Sequence, residues 1–166
     1  MRVEYASIIA NYLLVLHSLD QWPNRWSVSF NNNLLRTAGQ CNRQRLQIEL
    51  SAAHVAVQDE NEEGERAIHE IVLHEIAHAL TKGGHNEEWR RKAIEIGASG
   101  QREPPSWMRR PPTPFQLRCL VCGCVGPRYV KPIVKVLCPA CTRRKRGGGP
   151  KRFDERFLMV VEEVRV

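Results

Sequence analysis

His74-Glu75-Ile76-Ala77-His78-Ala79-Leu80-Thr81-Lys82-Gly83-Gly84-His85-Asn86-Glu87-Glu88-Trp89 is the stretch on which the reading of this chain turns. At about 100° per residue in a helix, His74 and His78 lie only about 40° apart, so both imidazoles face one way and can share a metal ion. With His74 as zero, Ile68, Val72, Leu73, Ile76, Ala79 and Leu80 fall between about 120° and 260°, the opposite face. That apolar arc packs on a core and leaves the histidines facing a cleft. Zinc accepts imidazole nitrogens in a tetrahedral array and, with three protein ligands, keeps a fourth position open for water. Glu75 follows the first histidine directly, which places it to take the proton of a water attacking a peptide carbonyl. The sequence thus points to a zinc peptidase with Glu75 as general base.

The third ligand is expected just beyond the helix. Gly83-Gly84 lets the chain turn back, and His85 is the first side chain able to return to the metal. Glu87 and Glu88 are the competing ligands. Six residues separate His78 from His85, whereas the metzincin pattern HExxHxxGxxH requires about five and a glycine between them. That pattern is therefore excluded.

Around this stretch the chain reads as mixed helix and strand. Tyr5, Ile8, Ile9, Tyr12, Leu13, Leu16 and Leu19 recur at helical spacing, predicting a helix over 3–19 that ends at Trp22-Pro23-Asn24. Residues 26–30 and 46–50 alternate apolar and polar side chains and predict two half-buried strands of one small sheet. The acidic run 59–64 leads into the motif helix, expected over 65–82, and favours its N-terminal dipole. Asn86 is the expected N-cap of the next helix, which fades at Gly97-Ala98-Ser99-Gly100. Five prolines between Pro104 and Pro114 exclude helix or central strand and predict a semi-rigid connector. The apolar end, Phe157-Leu158-Met159-Val160-Val161, fits either a strand or a helical turn.

Cys119-x2-Cys122 and Cys138-x2-Cys141 are 15 residues apart, the spacing of a four-cysteine zinc site. Four thiolates close a tetrahedron with no room for water, so this second zinc is structural and holds a module too small to build a core. A cytosolic setting disfavours the alternative of two disulfides. Cys124 is a competing ligand two positions from Cys122. Cys41 is read as a small buried residue.

The chain of 166 residues carries a net charge of +7 and 42% apolar residues. Residues 1–100 hold 10 Lys/Arg against 13 Asp/Glu, a net of −3, and residues 101–166 hold 15 against 5, a net of +10. Basic character segregated in this way is the footprint of a polyanion partner. Arg143, Arg144, Lys145, Arg146, Lys151 and Arg152 form its densest run and are the expected nucleic-acid contacts, binding phosphates without sequence preference. No signal peptide or membrane span is read from the sequence, so the expected location is cytoplasmic and DNA-associated.

The segment HEIAHALTKGGHNEEW resembles the SprT-like metallopeptidases, whose motif is HExxH, a variable turn, then a histidine four residues before a tryptophan; these are His85 and Trp89. Upstream, a tryptophan-led strand, an Ala-Gly turn (Ala38-Gly39) and the strand end Ile48 to Ser51 fall in the family's order, and a C-terminal ribbon is also what such proteins carry. Asn86 departs from the family, many members of which have glycine there. His17, His54 and His69 match nothing in the motif and are read as surface or core residues. The resemblance implies an α+β fold: a zincin-like core over residues 1–100, a Pro-rich linker over 101–114, a β zinc ribbon over 115–142, and a basic, Gly-rich tail with a short apolar end over 143–166. It further implies a zinc endopeptidase with one catalytic and one structural zinc, cleaving DNA-associated or DNA-crosslinked proteins. Two other functions compete: an HExxH peptidase acting on a regulatory protein, as in ImmA/IrrE-like proteins, which the ribbon argues against; and a non-enzymatic DNA-binding ribbon protein, which an intact Glu75 argues against.

Overall fold

The apolar arc of the motif helix finds its partners in a layer of helices and a three-stranded sheet. The structure, a computed structural model, describes residues 2–143 and 154–164 and divides into two units, 1–111 and 112–166. The first unit opens with α1 (Arg2–Leu16), continues through β1 (Ser27–Asn31), β2 (Gly39–Asn42) and β3 (Gln47–Ser51), and then adds α2 (Ala52–Ala56), α3 (Glu62–Leu80) and α4 (Glu87–Glu95). The two strands expected from alternation are β1 and β3, and they pair in parallel with Val28 opposite Ile48. The sheet order is β1-β3-β2, so β2 pairs antiparallel with β3 and forms an edge. The Ala-Gly pair read as a turn instead leads into this third strand, with Gly39 opposite Leu50.

Helix α3 starts three residues earlier than expected because Asn61 caps it, its side chain accepting a hydrogen bond from the Gly64 backbone N–H. The helix gives way at Thr81, whose hydroxyl donates to the Ala77 carbonyl, and Gly83 at φ +98° then takes the left-handed conformation that reverses the chain. Ile68, Val72, Leu73, Ile76 and Ala79 of the expected arc are buried, and Leu80 is half-buried. Val72, Leu73, Ile76, Ala79 and Leu80 share one core with Leu13 and Leu14 of α1, Ile48 and Leu50 of β3, and Trp89 and Ala93 of α4, while Ile68 packs with Ala6 of α1 and Val55 of α2. Full burial of each large side chain here contributes about 1.5–3 kcal/mol.

The prolines did exclude helix and strand over 101–114, yet the stretch up to Pro111 belongs to the first unit. Met108 is buried in the core and Trp107 packs against it, with the Arg66 guanidinium 4.7 Å from the Trp107 ring centre. Gln58 Nε2 donates to the Arg109 carbonyl at 2.9 Å, and Arg109 pairs with Asp59. This segment is a strap across its own unit.

The second unit holds a sheet ordered β5-β4-β6, from β4 (Phe115–Cys119), β5 (Val125–Arg128) and β6 (Met159–Glu163), with a short helix α5 (Pro139–Arg143). The apolar end divides between the two alternatives: Phe157 closes a 3-10 turn over Glu155–Phe157, and the strand β6 begins at Met159. It pairs antiparallel with β4, Val161 opposite Leu117, so the cysteine module extends beyond residue 142 to include it.

Candidate metal centres

Two groups of side chains among the described residues could hold a metal ion: His74, His78 and His85 in the first unit, and Cys119, Cys122, Cys138 and Cys141 in the second. In the first group α3 supplies two imidazoles one turn apart. The reversal at Gly83 brings the third back, so that His85 Nε2 lies 2.9 Å from His74 Nε2 and 3.1 Å from His78 Nε2. A tetrahedral zinc with bonds of about 2.0–2.1 Å sets its nitrogens about 3.3–3.4 Å apart, so the set fits that ion with little adjustment.

The imidazoles are also electrically suited. Burial, helped by the mutual repulsion of the three rings, pushes His74 down to about 3, and burial with His85 and Arg43 pushes His78 down to about 4. Burial and the nearby Arg102 lower His85 as well. All three are neutral near pH 7, with lone pairs free for a metal.

Trp89 does more than mark the motif. It is 1% exposed, and its ring centre lies 4.7, 5.1 and 4.5 Å from those of His74, His78 and His85. One rigid indole thus backs all three imidazoles. Asn86 caps α4 by accepting from the Trp89 N–H, at φ −84°, so the departure from glycine brings no strain and fixes the turn that carries Trp89. Glu87 and Glu88, the competing ligands, sit in the first exposed turn of α4 and are not members of the group.

Glu75 is 6% exposed, and burial pushes its carboxyl up to about 8. It shares a cavity of about 420 Å³ with the three histidines, Gly39 and Cys41. Cys41, expected in the core, is half-buried and lines this cavity, its thiol pushed up to about 12 by burial and by the Glu75 charge. Arg43 was likewise not foreseen; its Nη1 donates to the His78 carbonyl at 3.0 Å. The run Gly39-Gln40-Cys41-Asn42 lacks the alternation that marks a strand, so nothing local announced this wall of the site. Of the remaining histidines, His54 is buried with Nδ1 3.0 Å from Ser51 Oγ, and His17 and His69 are half-buried.

In the second group all four Sγ atoms lie within 4.8 Å of one another, and all six cysteines of the chain are free thiols. Cys119 and Cys141 are 3.8 Å apart and Cys122 and Cys138 3.6 Å. Zinc–sulfur bonds of about 2.3 Å in a tetrahedron require about 3.8 Å. Cys124 lies outside this foursome, although its Sγ is 3.2 Å from that of Cys138. The backbone N–H of Cys141 pulls the Cys138 thiol down to about 6, toward the thiolate that a metal needs.

Of the expected nucleic-acid contacts, Arg143 ends α5, and Arg144, Lys145, Arg146, Lys151 and Arg152 lie outside the described residues. No helix among the described residues is long and apolar enough to cross a membrane.

Comparison with protein families matches residues 13–109 to the SprT-like family. No curated protein and no solved structure matches the chain.

Proposed function

Because this chain belongs to the SprT-like family, we propose that it is a zinc-dependent endopeptidase with a zincin-like core, held at DNA by its basic C-terminal part and cleaving proteins associated with or crosslinked to that DNA. The observation that carries the catalytic half is the convergence of three neutral imidazole nitrogens beside one buried carboxylate in a single cavity. His74, His78 and His85 would hold zinc, which when bound polarises a peptide carbonyl and acidifies a water. Glu75 takes a proton from the attacking water at a carboxylate oxygen and passes it to the leaving amine nitrogen. A zinc ion held by the three neutral imidazoles would favour the ionised form of Glu75 and oppose the effect of burial. Trp89 fixes the imidazoles, and the Arg43 hydrogen bond to the His78 carbonyl ties the end of β2 to the last turn of α3.

Cys119, Cys122, Cys138 and Cys141 would hold a second, structural zinc. The DNA half rests on charge: a net of +10 in residues 101–166 against −3 before it. Such a segment binds phosphates in a salt-dependent way and concentrates the peptidase beside whatever else occupies the nucleic acid. The test is to incubate the zinc-loaded chain with a DNA-binding protein, with and without DNA. Cleavage that requires DNA and stops on chelation is expected; cleavage indifferent to DNA removes the recruitment half.

A further inference from the structure

The strand that passes Glu75 carries no side chain at its point of closest approach. A Cβ built on Gly39 would meet Glu75 Cγ at 2.7 Å, Oε1 at 2.8 Å and Cδ at 3.0 Å. Non-bonded carbon atoms settle at about 3.5–4.0 Å, so any residue larger than glycine forces a displacement. Gly39 is not among the residues with positive φ and pairs with Leu50 as an ordinary strand residue. Proximity to Glu75, and not backbone conformation, is what calls for glycine here. Two positions on, and on the same face of β2, Cys41 also borders the cavity.

We propose that Gly39 is a positioning residue for Glu75, a notch in β2 in which the carboxylate rests at the angle that proton transfer needs. Its catalytic consequence rests on the metallopeptidase reading above; the geometric claim does not. The backbone on either side cannot easily yield. Gly39 is held in the ladder to β3, the Ser51 N–H donates to the Ala38 carbonyl at 2.9 Å, and Ile48 and Leu50 are fully buried. Glu75 is fixed at its Cα in the middle of α3. The part free to move is the Glu75 side chain from Cγ outward, so Gly39→Ala should fold and load metal while swinging the carboxylate out of place.

The test compares the parent, Gly39→Ala, Glu75→Asp, Glu75→Gln and the double variant Gly39→Ala/Glu75→Asp, all zinc-loaded. For Gly39→Ala, zinc content and Tm should match the parent, and kcat should fall about 10²-fold with KM within about twofold, as a misplacement of about 1 Å costs. Crystal structures should show the Glu75 carboxylate displaced by about that distance, with β2 and the histidines unmoved. Alanine at 39 should cost much less in the Glu75→Asp background, whose shorter side chain withdraws from the notch.

Parent-like kcat in Gly39→Ala with Glu75→Gln inactive overturns the positioning role and leaves the peptidase reading intact. So do additive costs in the double variant, or a displaced β2 with Glu75 in place. A zinc-loaded parent that cleaves nothing overturns the peptidase reading instead, and the crystal comparison still decides the geometry. If Gly39→Ala fails to fold, combining it with Glu75→Ala, which removes the three atoms the Cβ would meet most closely, must restore the fold; failure to do so overturns the proposal.

Discussion

His74 Nε2 and His85 Nε2 stand 2.9 Å apart although eleven positions and a reversal of the chain separate them. Two imidazoles on a helix need no explanation beyond its pitch, but the third comes back only because Gly83 turns the chain and Trp89 gives the ring a surface to rest on.

His85→Ala should therefore lose the metal of the first unit, with affinity falling by more than the roughly 10–100-fold that follows removal of a group merely hydrogen-bonded to a ligand. Metal analysis after dialysis checks it. Undiminished zinc in this variant would return the third position to Glu87 or Glu88.

Two ions per chain are expected, and Cys138→Ser should leave one. Because metal binding supplies the folding free energy of such a module, the second unit should lose its protease resistance while the first keeps its own unfolding transition. Limited proteolysis with metal counting separates the two. Two ions remaining in Cys138→Ser would contradict the four-cysteine assignment.

Acid should weaken the first unit through His54. Burial, then the Arg110 charge, holds its pKa below the usual 6.5, so the unfolded chain binds the proton more readily than the folded one. Stability from this group is unchanged above about pH 6.5 and falls as the pH drops below it, by no more than about 1.4 kcal/mol per pH unit, the limit for one proton. Urea unfolding of the parent and His54→Gln between pH 7 and 5 should diverge, with the variant flatter; parallel curves would remove His54 from the acid response.

Neutralising Arg143, Arg144, Lys145 and Arg146 should lower DNA affinity and flatten its dependence on salt. The log–log slope should shrink by about 0.9 for each phosphate no longer engaged on duplex, or about 0.7 on single strands. Cleavage of a DNA-bound substrate should fall in parallel, while cleavage of a short free peptide should not. Unchanged affinity and slope would make this run a solvated tail.

What the sequence made legible followed from strong local patterns. The motif helix, its buried arc and the four cysteines are set by spacing alone, and β1 and β3 by alternation. The wall opposite the motif was hidden. Gly39 to Asn42 form a strand because β3 offers an edge, and the notch at Gly39 exists only relative to Glu75, thirty-six positions away. The prolines of 101–111 excluded helix and strand correctly but say nothing of where Met108 packs. β6 stayed ambiguous because five apolar-rich residues fit helix or strand until a partner such as β4 is present.

Glu75 is the residue on which the peptidase reading depends most. Steady-state cleavage by the zinc-loaded parent and by Glu75→Gln, at matched zinc content and matched Tm, tests it. A carboxamide cannot accept the proton of the attacking water, so the variant should lose about 10²–10⁴-fold in kcat while its metal and fold are retained. Turnover within a few-fold of the parent would contradict the assignment of Glu75 as general base and, with it, the proposed chemistry.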